Sequence, residues 1–183
     1  LDLEHKLIRE ATRDWVKKEV SPIIEESCQK SLFPKHLIPG LSQVGGFGSF
    51  IPKEFGGSNL DQISYGLIMQ ELERGDSGIR STCSVQSSLV MFPIWKYGSN
   101  QQKKKYLPKL ASGEIMGCFG LTEPSHGSDP ASMQTKIIDK GEYFLLNGSK
   151  MWISNAPFAD IAVVWVKNEK NRIKGIIVER GMS

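Results

Sequence analysis

Apolar residues change their spacing once along the chain, near Gly113. Before that point they recur every three or four positions, with charged residues between them, which predicts amphipathic helices. The first such face comprises Leu3, Leu7, Ile8, Ala11 and Trp15. After Gly113 the period shortens towards two, which is typical of strands. The pattern therefore predicts an all-α helical domain over residues 1–113 and a β domain over residues 114–183.

Capping residues predict where several of the helices begin and end. Asp61 is the expected N-cap of a helix over residues 62–74, because its carboxylate can accept a free backbone amide of the first turn. Ser99 and Gln102 have the spacing of a capping box, in which each side chain bonds the backbone of the other residue. Gly113 is expected to end the helix that starts there.

Two further helical segments are predicted from their apolar positions. One covers residues 80–97, and its inward-facing residues are expected to be Val85, Leu89 and Phe92. The other is a short element around Leu41, which Pro39 and Gly40 are expected to interrupt because proline disrupts a helix interior.

Six strands are predicted in the second part of the chain. They cover residues 116–122, 135–139, 143–146, 150–155, 161–167 and 173–180. Asn147-Gly148 is expected to form a hairpin turn, since both residues tolerate positive φ. Lys140-Gly141 and residues 168–171 are the other expected turns. These short connections favour an antiparallel, barrel-like sheet, which we expect to be incomplete where the chain stops.

Composition narrows the class of protein. The chain is 39% hydrophobic and 23% charged, as in ordinary globular proteins, with a net charge of +3. The lysines are not interleaved with aromatic residues, which argues against nucleic-acid binding. No apolar run approaches the length of about 20 residues that spans a bilayer. Three cysteines and three histidines without ligand spacing predict a reducing compartment, no disulfide framework and no metal site.

The candidate chemistry is concentrated in two segments. Residues 117–129 begin as an apolar strand, break at Glu123-Pro124, and continue through glycine, serine and other small polar residues. Such a loop lets backbone amides and hydroxyls approach a polar ligand closely. Residues 150–155 follow, with one large aromatic and one hydroxyl side chain. We interpret the two segments as the walls of one binding site.

These motifs carry a resemblance to a known family. A helical domain is followed by Leu121-Thr122-Glu123-Pro124, Gly127-Ser128-Asp129, Asn147-Gly148, Lys150 and Trp152-Ile153-Ser154-Asn155. This order resembles the acyl-CoA dehydrogenases and covers nearly the whole chain. The resemblance implies non-covalent FAD and α,β-desaturation of an acyl-CoA thioester. It also implies that the catalytic base is a glutamate of a C-terminal helical domain, so no catalytic residue is predicted in this chain, and that domain is expected to be absent from it.

The resemblance assigns the flavin ring to side chains of both segments. Phe119, Leu121 and Thr122 are expected to line the isoalloxazine, with the Thr122 hydroxyl bonding its N1/O2 edge. Trp152 is expected to cover the ring face opposite the substrate, and the Ser154 hydroxyl to reach N5. In this role the protein orients the cofactor and tunes its electronics.

The loop between the two segments is assigned to phosphates. Gly127 and Ser128 are expected to lie by the pyrophosphates of FAD and of the CoA arm. His126 stands in this loop where many relatives have a small residue, so it is a departure from the family pattern.

Residues 71–89 resemble the glutaryl-CoA dehydrogenase subfamily. By that resemblance Arg80 clamps the distal carboxylate of a dicarboxylyl-CoA, because a guanidinium can bind a carboxylate bidentately. Glu73 is expected to pair with Arg80, and Ser81 and Ser84 to add hydroxyl donors. The implied substrate is glutaryl-CoA, with decarboxylation to crotonyl-CoA as the expected outcome of the reaction.

Each of these residues also has a purely structural interpretation. Arg80 can serve only in an ion pair with Asp76 or Glu73. Trp152 can be a core residue of the β domain, and Thr122 and Ser128 can satisfy only loop amides. For three other residues the structural interpretation is the one we favour: Glu123 bonding nearby amides, and Cys83 and Cys118 buried as small apolar residues.

The implied biology is that of a metabolic flavoenzyme. Electrons would pass to an electron-transferring flavoprotein, and the protein would be a homotetramer, cytoplasmic in a prokaryote or in the mitochondrial matrix of a eukaryote. Three alternatives stay open: another short-chain acyl-CoA dehydrogenase, an acyl-CoA oxidase that forms hydrogen peroxide, and a non-catalytic relative that binds nucleic acid.

Overall fold

A computed structural model describes residues 1–182. It divides into two compact units, a helical unit over Leu1–Ile115 and a sheet-containing unit from Met116 onward. The predicted fold class, a helical domain followed by a β domain, is confirmed. In the described part of the chain no helix is both long enough and apolar enough to cross a membrane.

The helical unit contains seven α-helices among the described residues. They are α1 (Leu3–Trp15), α2 (Ile24–Gln29), α3 (Ile38–Gln43), α4 (Gln62–Gly75), α5 (Ser77–Ser84), α6 (Phe92–Tyr97) and α7 (Asn100–Ser112). A π-helical segment, Val16–Val20, extends α1, and a second one, Val85–Met91, joins α5 to α6. Short 3₁₀ turns occupy Lys35–Leu37 and Lys53–Phe55.

The predicted caps are confirmed. The Asp61 carboxylate accepts the backbone amide of Ser64 at 2.7 Å and starts α4. Ser99 and Gln102 bond each other's backbone as a capping box at the start of α7. Gly113 ends α7 in the left-handed conformation, with φ of 75°, which glycine adopts without a Cβ clash.

The apolar face predicted for α1 is not the buried one. Leu3 and Leu7 are 71% and 56% exposed, whereas His5 and Thr12 are buried. The reason is that α1 packs against α4 with a polar face that includes Arg13. The Arg13 guanidinium donates two hydrogen bonds to the carboxylate of Glu71 in α4. Spacing alone could not reveal that partner.

The prediction for residues 80–97 is only partly right. The helix begins at Ser77, where Asp76 acts as N-cap, and Val85 is buried as expected. Leu89 and Phe92 are each 37% exposed. The π-helical segment explains this difference, since its wider i→i+5 turn rotates the following side chains away from the face that a regular α-helix would bury.

Proline does not interrupt α3. The helix begins at Ile38, so Pro39 lies in the first turn, where a backbone N–H has no acceptor within the helix and its loss costs nothing. Leu41 is fully buried.

The second unit contains one sheet of five described strands. They are β1 (Gly117–Gly120), β2 (Lys136–Asp139), β3 (Phe144–Asn147), β4 (Ile161–Lys167) and β5 (Ile173–Glu179). β4 is central: β5 pairs with it antiparallel, and β1 pairs with it parallel in the register Gly117↔Ile161. β2 forms a hairpin with β3 and meets the end of β4 in parallel.

The sheet is therefore mixed, where an antiparallel one was predicted. Parallel pairing of β1 with β4 requires a long connection, and the residues between them supply one, with the β2–β3 hairpin inside it. The predicted turn at Lys140-Gly141 joins β2 to β3, and the turn at residues 168–171 joins β4 to β5.

Residues 150–155 do not form the predicted strand. Trp152 and Asn155 have φ of 60° and 67°, left-handed values that end the regular alternation of a strand. Asn147-Gly148 is accordingly not a hairpin turn, because Asn147 ends β3. Glycine is needed at position 148 for another reason: a Cβ there would lie 2.6 Å from Cα of Thr135.

Candidate functional site

A buried carboxylate organises the loop that follows β1. Glu123 is 5% exposed, and its Oε2 accepts the backbone amide of Gln134 at 2.6 Å. Its Oε1 accepts the backbone amide of Thr135 at 2.9 Å and also the Thr135 hydroxyl. The structural role predicted for Glu123 is confirmed. Burial raises the pKa of Glu123, but the hydrogen bonds from Gln134, Thr135 and Lys150 together outweigh it and lower that pKa to about 2.

Lys150 joins the two segments predicted as walls of the site. Its Nζ donates to the carbonyl of Leu121 and to Oε1 of Glu123, both at 2.9 Å. The next residue continues the connection, since the backbone amide of Met151 donates to the carbonyl of Thr122 at 2.9 Å. Residues 121–123 and 150–151 are thus neighbours, as the prediction of one site requires.

The second segment is also fixed at its far end. The Asn155 side-chain amide donates to the carbonyl of Gly117 at 3.2 Å, at the start of β1. The Asn155 carbonyl accepts the backbone amides of Phe158 and Ala159, which closes a turn. Trp152 and Ser154 lie between the two fixed ends.

The polar groups on these walls are free to meet a ligand. Within residues 1–182, the side chains of Thr122, Ser128, Ser154 and Trp152 have no hydrogen-bond partner. Trp152 is 85% exposed, so it is not a core tryptophan. Three unpaired hydroxyls and an exposed indole on a braced loop fit a large planar polar cofactor such as a flavin, which needs both hydrogen-bond donors and an apolar ring contact.

Phe119 and Leu121 lie half-buried at one end of the loop. The ring of Phe119 packs edge-on against Trp165 in β4, with ring centroids 6.1 Å apart. The sequence analysis did not identify Trp165. The alternation of residues within 161–167 is the signal that could have found it, because parallel pairing puts Phe119 beside Val163 on the same face as Trp165.

The segment assigned to phosphates is a tight turn. The backbone amides and carbonyls of Glu123 and His126 bond each other at 3.3 and 3.2 Å. Gly127 and Ser128 are exposed, and no atom lies within 4 Å of where a Cβ of Gly127 would stand. Asp129 accepts the hydroxyl of Ser132, which lowers the pKa of Asp129.

The residues assigned to the substrate form a cluster on α4 and α5. Nε of Arg80 donates to Oε2 of Glu73 at 2.6 Å, and Nη1 lies 3.4 Å from the hydroxyl of Ser84. The other oxygen of Glu73 accepts the hydroxyl of Ser77 at 2.6 Å, so Glu73 is held from both sides. The Ser77 and Arg80 hydrogen bonds lower the pKa of Glu73.

Ser77 was missed in the sequence, although it follows Glu73 by the spacing of one helical turn. Asp76, the alternative partner considered for Arg80, instead caps α5 by accepting the amide of Ile79 at 2.8 Å. Ser81 is half-buried next to Arg80. The cluster brings together Glu73, Arg80 and Ser84 as predicted.

Cys83 and Cys118 are buried, as predicted, and burial raises the pKa of both thiols. Over residues 1–182, no group of three or more His, Cys, Asp and Glu side chains is arranged to hold a metal ion.

Two family models match the chain. One, described as the N-terminal domain of acyl-CoA dehydrogenase, matches residues 2–114, and the other, described as the middle domain, matches residues 118–183. The chain belongs to the acyl-CoA dehydrogenase family. The resemblance inferred from the motifs is confirmed.

Several relatives carry more specific names. A solved glutaryl-CoA dehydrogenase of Mycobacterium smegmatis, in complex with FADH2, is 41% identical with a TM-score of 0.96, over 99% of this chain and 46% of that one. Glutaryl-CoA dehydrogenase of Desulfococcus multivorans is 36% identical over 93% of this chain and 44% of its own length. The human mitochondrial short-chain specific acyl-CoA dehydrogenase is 35% identical over 91% and 40%.

These comparisons establish the family but do not identify the acyl group of the substrate. The predicted cofactor, FAD, agrees with the FADH2 bound to the Mycobacterium smegmatis relative. Relatives of different acyl specificity match the chain at similar identity. The chain spans less than half the length of each of these three relatives.

Proposed function

We propose that the full-length protein is an FAD-dependent acyl-CoA dehydrogenase that oxidises glutaryl-CoA by α,β-desaturation, with decarboxylation to crotonyl-CoA. Electrons would pass to an electron-transferring flavoprotein, and the assembly would be a homotetramer. Domain limits of 1–113 and 114–183 belong to the same proposal. The observation that supports glutaryl-CoA as the substrate is the orientation of Arg80 by Glu73.

Arg80 has the properties of a carboxylate clamp. Its side chain is 34% exposed, and Glu73 and Ser84 engage only Nε and Nη1. Nη2 has no partner within residues 1–182, so it can donate to an incoming carboxylate, with Nη1 offering its second hydrogen. A guanidinium held in one orientation by a neighbour loses less entropy when it binds an anion. Ser81 lies beside Arg80 and can contribute a hydroxyl.

In the β unit the chain would orient the flavin. FAD, when bound, supplies hydride acceptance from the substrate β-carbon. Thr122 would donate to the N1/O2 edge and Ser154 to N5, since both hydroxyls are unpaired within residues 1–182. Trp152 would cover one ring face.

The neighbouring residues complete this assignment. Phe119 and Leu121 would line the ring, and Gly127 and Ser128 would contact the phosphates of FAD and of the CoA arm. No carboxylate of this chain is proposed as the base that removes the α-proton.

The test of the substrate compares two acyl groups. Arg80→Met should lower kcat/KM for glutaryl-CoA by about 100-fold, because losing one partner of a charged, hydrogen-bonded pair costs about 3 kcal/mol. For butyryl-CoA, which has no distal carboxylate, kcat/KM should change by less than about threefold. Arg74→Met is the matched control, since Arg74 lies at the end of α4 and pairs with Glu71 instead. Equal losses for both acyl groups in Arg80→Met would remove the dicarboxylate assignment.

A second candidate is an acyl-CoA dehydrogenase for short neutral chains. The similarity to the human short-chain specific enzyme favours it. Under this alternative the unmodified protein would oxidise butyryl-CoA with a higher kcat/KM than glutaryl-CoA, and Arg80 would serve only as the ion-pair partner of Glu73.

A further inference from the structure

A buried ion pair connects the two walls of the candidate flavin site. The side chains of Lys150 and Glu123 are 11% and 5% exposed. Removing two charges from water costs several kcal/mol each, so such a pair rarely adds much stability over an apolar replacement. The significance of this pair therefore lies in the groups that its hydrogen bonds hold in place.

Lys150 brackets one residue, Thr122. Its Nζ donates to the carbonyl of Leu121, the residue before Thr122, and to the carboxylate of Glu123, the residue after it. The amide of Met151 donates to the carbonyl of Thr122 itself. Three consecutive residues of the first wall are thus held by two consecutive residues of the second.

The hydroxyl of Thr122 is left outside this set of bonds. Within residues 1–182 the Thr122 and Ser154 hydroxyls have no partners, although the backbone beside each is fixed. Ser154 lies between Lys150, bonded to the first wall, and Asn155, bonded to Gly117 in β1. This is the arrangement expected where polar groups are preorganised for a ligand by neighbours that do not touch it.

We propose that Lys150 is a positioning residue of the flavin site, fixing the hydroxyls of Thr122 and Ser154 relative to one another. The inference rests on the proposed role of this unit in binding FAD. Lys150 acts through the carbonyl of Leu121 and the carboxylate of Glu123 and does not itself contact the flavin.

A simpler role would be charge neutralisation. Glu123 is buried, Nζ of Lys150 lies 2.9 Å from its Oε1, and Nδ1 of His126 lies 3.7 Å from its Oε2. If that were the whole function of Lys150, removing its ammonium would cause no further defect once Glu123 is neutral. The bond from Lys150 to Leu121 distinguishes the two roles, because neutralising Glu123 does not replace it.

The experiment uses four variants of the FAD-loaded, full-length protein. Lys150→Met keeps the aliphatic stem, which packs beside Gly120, and removes the ammonium. Glu123→Gln neutralises the carboxylate alone, and Glu123→Gln/Lys150→Met removes both charges. Lys174→Met replaces an exposed lysine of β5 and serves as the matched control. The readouts are the dissociation constant for FAD, the absorbance spectrum of the bound flavin, its reduction potential, and the melting temperature.

In Lys150→Met we expect FAD to bind about 10- to 100-fold more weakly, by analogy with residues that orient the ligands of metal sites. The spectrum and potential of the flavin that remains bound should shift, which a purely structural role would not cause. The double variant should bind FAD more weakly than Glu123→Gln and differ from it in flavin spectrum and potential, and the control should match the unmodified protein.

Two outcomes overturn the inference while leaving the proposed function intact. One is a Lys150→Met protein whose bound flavin has an unchanged spectrum and potential, whatever its melting temperature. The other is a double variant that matches Glu123→Gln in FAD binding, flavin spectrum and potential, which would reduce Lys150 to a counter-ion. Failure of the unmodified protein to bind FAD would instead overturn the proposed function.

Discussion

Two buried carboxylates, one in each unit, are held by different kinds of donor. Glu71 in α4 is 1% exposed and accepts two hydrogen bonds from the guanidinium of Arg13, with Arg74 at 3.3 Å. Glu123 is 5% exposed and accepts two backbone amides, a hydroxyl and one ammonium. The first carboxylate joins side chains of two helices, whereas the second fixes the backbone of a loop.

The difference separates stability from site geometry. Around Glu71 every bond ends on a side chain of regular secondary structure, and neither α1 nor α4 needs it to define its own backbone. Around Glu123 the backbone amides of Gln134 and Thr135 end on the carboxylate itself, and residues 121–135 form no strand or α-helix. We therefore expect Glu71 to matter for folding and Glu123 for both folding and the site.

The largest effect on the free energy of unfolding is expected when Glu71 is replaced. Glu71→Ala should lower the free energy of unfolding by about 2 kcal/mol, because it removes a buried carboxylate that accepts two charged hydrogen bonds from Arg13. Urea denaturation measures this. The spectrum of bound FAD should stay unchanged, since no residue of α1 or α4 is assigned to the flavin. Glu25→Ala, at an exposed position of α2, is the control and should change the free energy of unfolding by less than about 0.5 kcal/mol. A shifted flavin spectrum in Glu71→Ala would contradict the expectation that Glu71 acts on folding alone.

The second expected effect is a loss of stability at acid pH. The pKa of Glu123 is lowered to about 2, below the value of about 4.3 for a free glutamate. A group whose pKa is lower in the folded state stabilises the fold above the unfolded pKa, and that contribution is lost as the pH falls through the folded pKa. The free energy of unfolding should therefore fall between about pH 5 and pH 2, and less steeply in Glu123→Gln.

The pH profile is measured by urea denaturation at several values between pH 6 and pH 2. Glu142→Gln, in the exposed turn between β2 and β3, is the control and should keep the slope of the unmodified protein. The pKa of Glu71 is also lowered, chiefly by the hydrogen bond from Arg13, so some acid sensitivity should persist in Glu123→Gln. An unchanged slope in that variant would show that Glu123 contributes nothing through its charge.

Local signals predicted much of the fold. The caps at Asp61, Ser99 and Gly113 could be read because the partner of each lies within a few residues. The buried face of α1 could not, since Arg13 and Glu71 are far apart in sequence. No residue type in the sequence identifies the π-helical segment at Val85–Met91 or the positive φ of Trp152. The π-helical segment changed which side chains of the predicted helix are buried. The positive φ ended the strand that was predicted at Trp152.

The site divides in the same way. The residues proposed to contact the ligand rest on the family motifs alone, and the bonds around Glu123 agree with the structural role expected for it. The sequence did not show that Lys150 brackets Thr122, that Ser77 holds Glu73, or that Trp165 packs on Phe119. Each of these contacts depends on the direction of a side chain, which the fold determines.

The smallest effect on stability is expected at Ser154, a residue assigned to the site whose hydroxyl has no partner within residues 1–182. Ser154→Ala should change the free energy of unfolding by less than about 0.5 kcal/mol, because its exposed hydroxyl bonds nothing within residues 1–182. The same change should slow flavin reduction by glutaryl-CoA about tenfold, since a single hydrogen bond to the reacting edge of a cofactor contributes about 1 kcal/mol or more. Stopped-flow absorbance measures that rate, with Ser154→Thr as the variant that keeps the hydroxyl. An unchanged rate in Ser154→Ala would place Ser154 outside the flavin site and leave Thr122 as the hydroxyl that Lys150 positions.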